Sequence, residues 1–144
     1  MVDRILVPID ESDRATEALD FALEEFPEAT IVALHVLDPA DLYGASGFEG
    51  GAMINYDELH AQNEQRAEEL LESAADRAAD HGVECDTELM IGGVSRSILN
   101  YAEENPIDQI IMGSHGRRGA SRILLGSVAE TVTRRSPVPV TIVR

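Results

Sequence analysis

Five short apolar runs, separated by segments of helical periodicity, constrain this chain more than any other feature. Arg4-Ile-Leu-Val-Pro-Ile9, Thr30-Ile-Val-Ala-Leu-His-Val-Leu37, Asp108-Gln-Ile-Ile-Met112 and Val138-Pro-Val-Thr-Ile-Val143 are apolar at nearly consecutive positions. A strand apolar on both faces must be covered on both, as in a parallel sheet flanked by helices. Val83 to Ile91 alternates more and is more polar, which places it nearer an edge. Ala15, Ala18, Leu19, Ala22, Leu23 and Phe26 recur at helical spacing until Pro27, after polar N-cap candidates from Asp10 to Asp13. Further helices are predicted at about 57–81, with Gly82 as the residue that ends it, from a Ser95 cap to just before Pro106, and at about 127–135. The order β-α-β-α-β-α-β-α-β predicts a single α/β domain over 1–144: a doubly wound five-stranded parallel sheet with helices on both faces.

Such sheets take ligands beyond the carboxyl ends of their strands, at the point where strand order reverses. That rule gathers Pro8-Ile9-Asp10, His35-Val36 and the segment after Met112 into one crevice. Residues 39–56, with Gly44, Gly47, Gly50 and Gly51, have no clear period and read as a functional flap or a moving segment.

Composition removes several chemistries. The 11 basic residues are all arginine. Without lysine there is no Walker A phosphate loop and no Schiff-base nucleophile. One cysteine excludes a disulfide framework, an iron–sulfur cluster and a thiolate zinc site. No apolar run approaches a membrane span, and Met1–Val7 reads as a strand without a signal-peptide pattern. The expectation is a cytoplasmic protein with no membrane partner. A net charge of −16 and a pI near 4.4 argue against nucleic acid as a partner.

The charge is unevenly spread. Residues 1–112 carry 26 acids and 5 arginines, whereas residues 113–144 carry 6 arginines and only Glu130 as an acid. Either the basic end concentrates an anion site, or the last helix and strand simply need few acids. The acid gathers at Glu64, Glu68, Glu72, Asp76 and Asp80, one stripe of like charge on a helix. Its four i,i+4 pairs cost roughly 1–2 kcal/mol at low salt. Arg66 with Glu69 and Arg77 with Asp80 are expected to return part of this. At about 1 M salt the Debye length is ~3 Å and the repulsion is screened, which with the missing lysine suggests a halophilic host.

The informative stretch is Gly113-Ser-His115-Gly116-Arg-Arg-Gly-Ala-Ser-Arg-Ile-Leu-Leu-Gly126-Ser127-Val128. Gly113 follows a buried strand directly. Glycines there permit φ > 0 and let a ligand approach the amides. Gly126-Ser127 opens a helix whose free N–H groups and dipole suit a phosphate. Arg117, Arg118 and Arg122 add positive charge. A bland account also exists: turn glycines, a solvated loop, and Ser127 with Glu130 as a capping box. The Rossmann G-x-G-x-x-G fingerprint is absent.

The pattern Gly113-x2-Gly116-x9-Gly126-Ser127 resembles the nucleotide-binding signature of the universal stress protein family. The likeness extends to Ile5-Leu-Val-Pro-Ile-Asp10, Leu34-His35-Val36, Ile111-Met112-Gly113, Leu125-Gly126-Ser127-Val128 and Val138-Pro-Val-Thr-Ile-Val143, essentially the whole chain. The resemblance implies a Rossmann-like, adenine nucleotide alpha hydrolase-like fold that binds ATP. It implies that Asp10 holds the ribose hydroxyls, that Pro8, Ile9 and Val36 line the adenine pocket, and that Met112 borders the nucleotide. Gly113, Gly116, Gly126, Ser127 and Val128 would wrap the phosphates, with His115 beside them. It also implies a homodimer through the last strand, 138–143. Mg²⁺ would accompany ATP on its phosphate oxygens, with no metal site of the protein's own.

Asp10 also has a local reading as the cap of the first helix, a role open to Ser12 or Asp13. His35 reads as a core histidine, His60 and His81 as surface residues, and Cys85 as a strand residue rather than a nucleophile. No catalytic residue is identified. The function expected is a nucleotide-dependent stress-response regulator. The alternatives are a slow ATPase or phosphotransferase using His115 or Ser127, and a dimeric interaction module without nucleotide.

Overall fold

The computed structural model describes residues 2–40, 56–114 and 125–144. The segment 41–55, most of the predicted flap, lies outside them, as do His115 and Gly116. Five parallel strands form one sheet: β1 (Arg4–Pro8), β2 (Thr30–Leu37), β3 (Cys85–Ile91), β4 (Gln109–Gly113) and β5 (Val140–Val143). Their order is β3-β2-β1-β4-β5. The chain steps outward from β1 to β3, crosses back to β4, and steps outward again. The reversal falls between β1 and β4.

Period-two alternation divides the core. Ile5, Val7, Ile31, Ala33 and Ile111 point to one face, and Leu6, Val32, Leu34 and Ile110 to the other. The register aligns Leu6 with Val32 and with Ile110. β1, β2 and β4 hold the residues buried on both faces, as their unbroken apolar runs require. The edge strand β3 exposes Asp86, Thr87 and Glu88, as its mixed composition implies.

Helices α1 (Asp13–Glu25) and α2 (Tyr56–Asp80) cover the first face, and α3 (Val94–Glu104) and α4 (Ser127–Arg135) the second. α1 buries Ala15, Ala18, Leu19, Ala22 and Leu23. Its alanines let it lie close to the sheet. A Cβ on Gly113 would stand 2.8 Å from Arg14 Cβ and 2.9 Å from the Arg14 carbonyl carbon and oxygen. α2 ends in a Schellman motif: Gly82 takes φ +69°, its N–H donates to Ala79 O (2.9 Å), and Val83 N–H donates to Ala78 O (2.9 Å).

Three local expectations change. Helix α3 is capped by Gly93, not Ser95, because the chain enters the helix as soon as it leaves β3 through Gly92 and Gly93. Arg77 does not turn along its own helix to Asp80. It crosses to Asp20 on α1, with Nη2 donating to Oδ2 at 2.8 Å and Nε to Oδ1. Across the two helices the planar guanidinium meets the carboxylate with two hydrogen bonds, which is worth more than a single i,i+3 contact. The guanidinium holds the Asp20 carboxyl below its usual range. Nor does Arg66 pair with Glu69, which instead accepts from Gln65 Nε2 at 3.4 Å.

Candidate functional site

Beyond the carboxyl ends of the strands lies a crevice of about 750 Å³. Pro8, Ile9, Val36 and Met112 contribute to its apolar floor, with Asp10 at its β1 side and Gly113, Gly126, Ser127 and Val128 at its β4 side. Every site residue expected from the sequence that the structure describes therefore lines one space. His115 and Gly116 fall outside the described residues.

Asp10 is not the cap of α1. Ser12 is: its Oγ accepts from Ala15 N at 3.2 Å. Asp10 instead holds that cap. Its Oδ1 accepts from Ser12 N at 2.8 Å and from Ser12 Oγ. The carboxylate is thus fixed through one oxygen by a local Asx-type turn. Oδ2 has no hydrogen bond among the described residues.

His35 lies on the floor rather than deep in the core. The end of β1 is tied to β2 by Ile9 N–H to Leu34 O (2.8 Å), and His35 Nδ1 donates to Ile9 O at 2.6 Å. A carbonyl can only accept, so Nδ1 carries the proton. The ring buttresses the turn that presents Asp10.

At the β4 side, Ser114 N–H donates to Val143 O (3.0 Å), and Gly126 N–H donates to Ser114 O (2.8 Å). Ser114 and Gly126, on either side of residues 115–124, are therefore tied to each other. Gly126 caps α4 with φ −63° and ψ 162°, and no side chain bonds to that end. The capping-box reading of Ser127 and Glu130 fails. Glu130 N–H donates to Gly126 O at 2.9 Å, and the Glu130 carboxylate pairs with Arg134 one turn on. Ser127 is the first helical residue. The amides of Ser127, Val128 and Ala129 have no acceptor within the helix, and all three residues line the crevice.

The cap of α3, Gly93, and its first residues, Val94 and Ser95, line the same crevice, also without a side-chain cap. The sequence reading missed them, although Gly92-Gly93 after β3 repeats the strand–glycine–helix signal read at Gly113 to Ser127. It also missed Asn63 and Arg66 on α2. Gly113 itself has no positive φ, which among the described residues only Gly82 and Gly92 adopt. Its demand is for closeness to Arg14. Cys85 is half-buried on β3, and burial pushes its thiol pKa up, the opposite of an activated nucleophile. Among the described residues no acidic, histidine or cysteine cluster could hold a metal, and no helix is long and apolar enough to cross a membrane.

Fold and crevice together define a doubly wound α/β protein with an open crevice at its switch point. The Universal stress protein family model matches residues 1–144, and the chain belongs to that family. It is 34% identical over 149 residues to Universal stress protein YxiE of Bacillus subtilis, with 100% of each chain covered. Universal stress protein MJ0577 of Methanocaldococcus jannaschii is 30% identical over 155 residues, covering 100% of this chain and 96% of the relative. The solved MJ0577 structure superposes with a TM-score of 0.83, covering 99% of this chain and 96% of that one. Two more distant structures share the fold. A universal stress protein in complex with cAMP has TM-score 0.71 at 24% identity, covering 99% and 97%. The Archaeoglobus fulgidus universal stress protein in complex with dAMP has TM-score 0.66 at 23% identity, covering 100% and 98%.

Proposed function

We propose that the crevice binds an adenine nucleotide, ATP in the first instance, and that the protein is a nucleotide-dependent stress-response regulator. The observation that carries this is the convergence of an apolar floor, a fixed carboxylate and an uncapped helix N-terminus on one space. An adenine ring fits the floor of Pro8, Ile9, Val36 and Met112. Asp10 accepts from ribose hydroxyls, as acids at the first strand do in other doubly wound folds. The phosphates meet the amides of Ser127, Val128 and Ala129, where the helix dipole favours negative charge. Gly113, Gly126 and the Ser127 hydroxyl adjoin them; His115 and Gly116, outside the described residues, join the assignment through the family resemblance. Mg²⁺ comes with ATP on its own oxygens. Relatives whose structures name cAMP and dAMP as ligands support an adenine nucleotide here.

Such a regulator responds because ATP binds two conformations or partner states unequally. A homodimer through 138–143 belongs to this proposal. β5 is an edge strand with β4 as its one neighbour in the sheet, and its residues are partly exposed. A cytoplasmic location, where ATP is available, completes it.

The test is to denature the purified protein and identify the released nucleotide, with calorimetry of ATP, ADP and AMP on the emptied protein. Gly126→Val is expected to abolish ATP binding while the protein still folds. Absence of binding by the wild-type protein, or unchanged affinity in Gly126→Val, would refute the assignment.

A further inference from the structure

Helix α2 presents one stripe to the rest of the molecule. Lower on the helix that stripe is apolar, with Leu71, Ala74 and Ala78 in the core. Higher up, Leu59, Asn63, Arg66, Ala67 and Leu70 line the crevice. Their spacing of i, i+4, i+7, i+8 and i+11 keeps them on one side of the helix. Two polar residues therefore interrupt an inward stripe where it overhangs the crevice, and one of them is charged.

Arg66 stands on a helix crowded with carboxylates, yet among the described residues it makes no ion pair or hydrogen bond. Glu69, at i+3, is engaged by Gln65 instead. The other arginine of the helix, Arg77, is held by Asp20. The crevice in turn is acid-lined: Asp10, Glu11 and Asp38 border it, and Arg66 is the one arginine among its described lining residues. A nucleotide polyphosphate entering that space meets repulsion from three carboxylates, and the amides at the starts of α4 and α3 each carry only a partial charge.

We infer that Arg66 is a specificity-determining residue of the nucleotide site, placed on α2 to bind the phosphate chain from the side opposite α4. The inference rests on the nucleotide reading above. The guanidinium reaches phosphate oxygens with paired hydrogen bonds and stays charged at every pH the protein experiences. Its contribution grows with phosphate charge. It therefore favours ATP over AMP, and AMP over adenosine, without selecting the base. In a chain with no lysine, an arginine on a rigid helix supplies this selectivity.

The test is calorimetry of ATP, ADP, AMP and adenosine on wild type, Arg66→Gln and Arg66→Lys at one fixed salt concentration. Arg66 is exposed, so both variants are expected to fold with the wild-type melting temperature. Loss of one charged hydrogen-bonding partner lowers affinity by about tenfold or more. Arg66→Gln is expected to lose that factor for ATP, progressively less for ADP and AMP, and almost nothing for adenosine. Arg66→Lys, which keeps the charge but not the paired hydrogen bonds, is expected to recover only part of the ATP affinity. Equal losses for all four ligands, or no loss for ATP, overturn the inference and leave the nucleotide reading intact. Failure of the wild-type protein to bind any of the four refutes both, which is a separable result.

Discussion

Gly113 makes the sharpest stability prediction, because its neighbour is backbone. The Cβ of an alanine there would lie 2.8 Å from Arg14 Cβ and 2.9 Å from the Arg14 carbonyl carbon and oxygen. Carbon atoms rest ~3.5–4.0 Å apart, so the methyl intrudes by roughly 0.7–1 Å on atoms that no rotamer change can move. Helix α1 must recede from β4 as a unit, opening the contacts of Ala15, Ala18 and Leu19 with the sheet. Overpacking of this kind costs about 1–3 kcal/mol. For a chain of this length that is a fall of roughly 3–12 °C in melting temperature.

The assay is thermal unfolding by circular dichroism without nucleotide, so that ligand binding cannot contribute. Gly82 supplies the control. It has φ +69° and nothing within 4 Å of an added Cβ, so its alanine variant loses ~1–2 kcal/mol through the left-handed backbone alone. Asparagine tolerates that conformation. Gly82→Asn is therefore expected to be milder than Gly82→Ala, whereas Gly113→Asn is expected to be worse than Gly113→Ala. An unchanged melting temperature for nucleotide-free Gly113→Ala refutes the packing argument and returns this glycine to a purely ligand-facing role.

Ser12→Ala removes the side-chain cap of α1 and the partner of Asp10, and is expected to cost about 1 kcal/mol by chemical denaturation. Unfolding at low pH should reveal Asp20. Its carboxyl is held below the usual 3.8, first by the Arg77 hydrogen bond, so its stabilisation is present above that value and is lost as pH falls through the lower folded value. Asp20→Asn should flatten the stability curve below about pH 4, and an identical acid limb would exclude the pair as a contributor. Raising KCl from low to molar concentration should stabilise the protein by roughly 1–2 kcal/mol through screening of the four i,i+4 pairs among Glu64, Glu68, Glu72, Asp76 and Asp80. A melting temperature flat in KCl contradicts both the stripe's cost and the halophilic reading.

What the sequence made legible follows from where tertiary context adds little. β1, β2 and β4 are apolar on both faces and admit one placement, inside a parallel sheet. The switch-point rule then brings Pro8, Asp10, Val36, Met112, Gly126 and Ser127 to one crevice without knowledge of any contact. The start of α4 at Ser127 was legible because a glycine and a serine, residue types favoured at helix N-termini, meet there. The residues misread are those whose partners are distant in sequence. Arg77 has an acid three residues away and prefers one 57 residues away, because two helices packed on one sheet face present a carboxylate to the Nε and Nη2 donors of one guanidinium edge. Ser95 has the chemistry of a cap and is passed over, because α3 begins where β3 delivers the chain.

Gly113 and Arg66 are the instructive pair. A glycine after a strand beside a candidate ligand loop invites a ligand-based explanation. Its tightest neighbour is Arg14, so it is required even by the empty fold, and the resemblance alone cannot separate the two demands. Arg66 is the converse. On a helix crowded with carboxylates it reads as one half of a surface pair, and surface pairs contribute little. Only the geometry reveals that its side of the helix continues the core stripe into an acid-lined crevice. Composition, read first as exclusion, then acquires a positive meaning. A chain without lysine that is to hold a polyphosphate among carboxylates must use backbone amides and arginine, and α4 and α2 offer one of each to the same space.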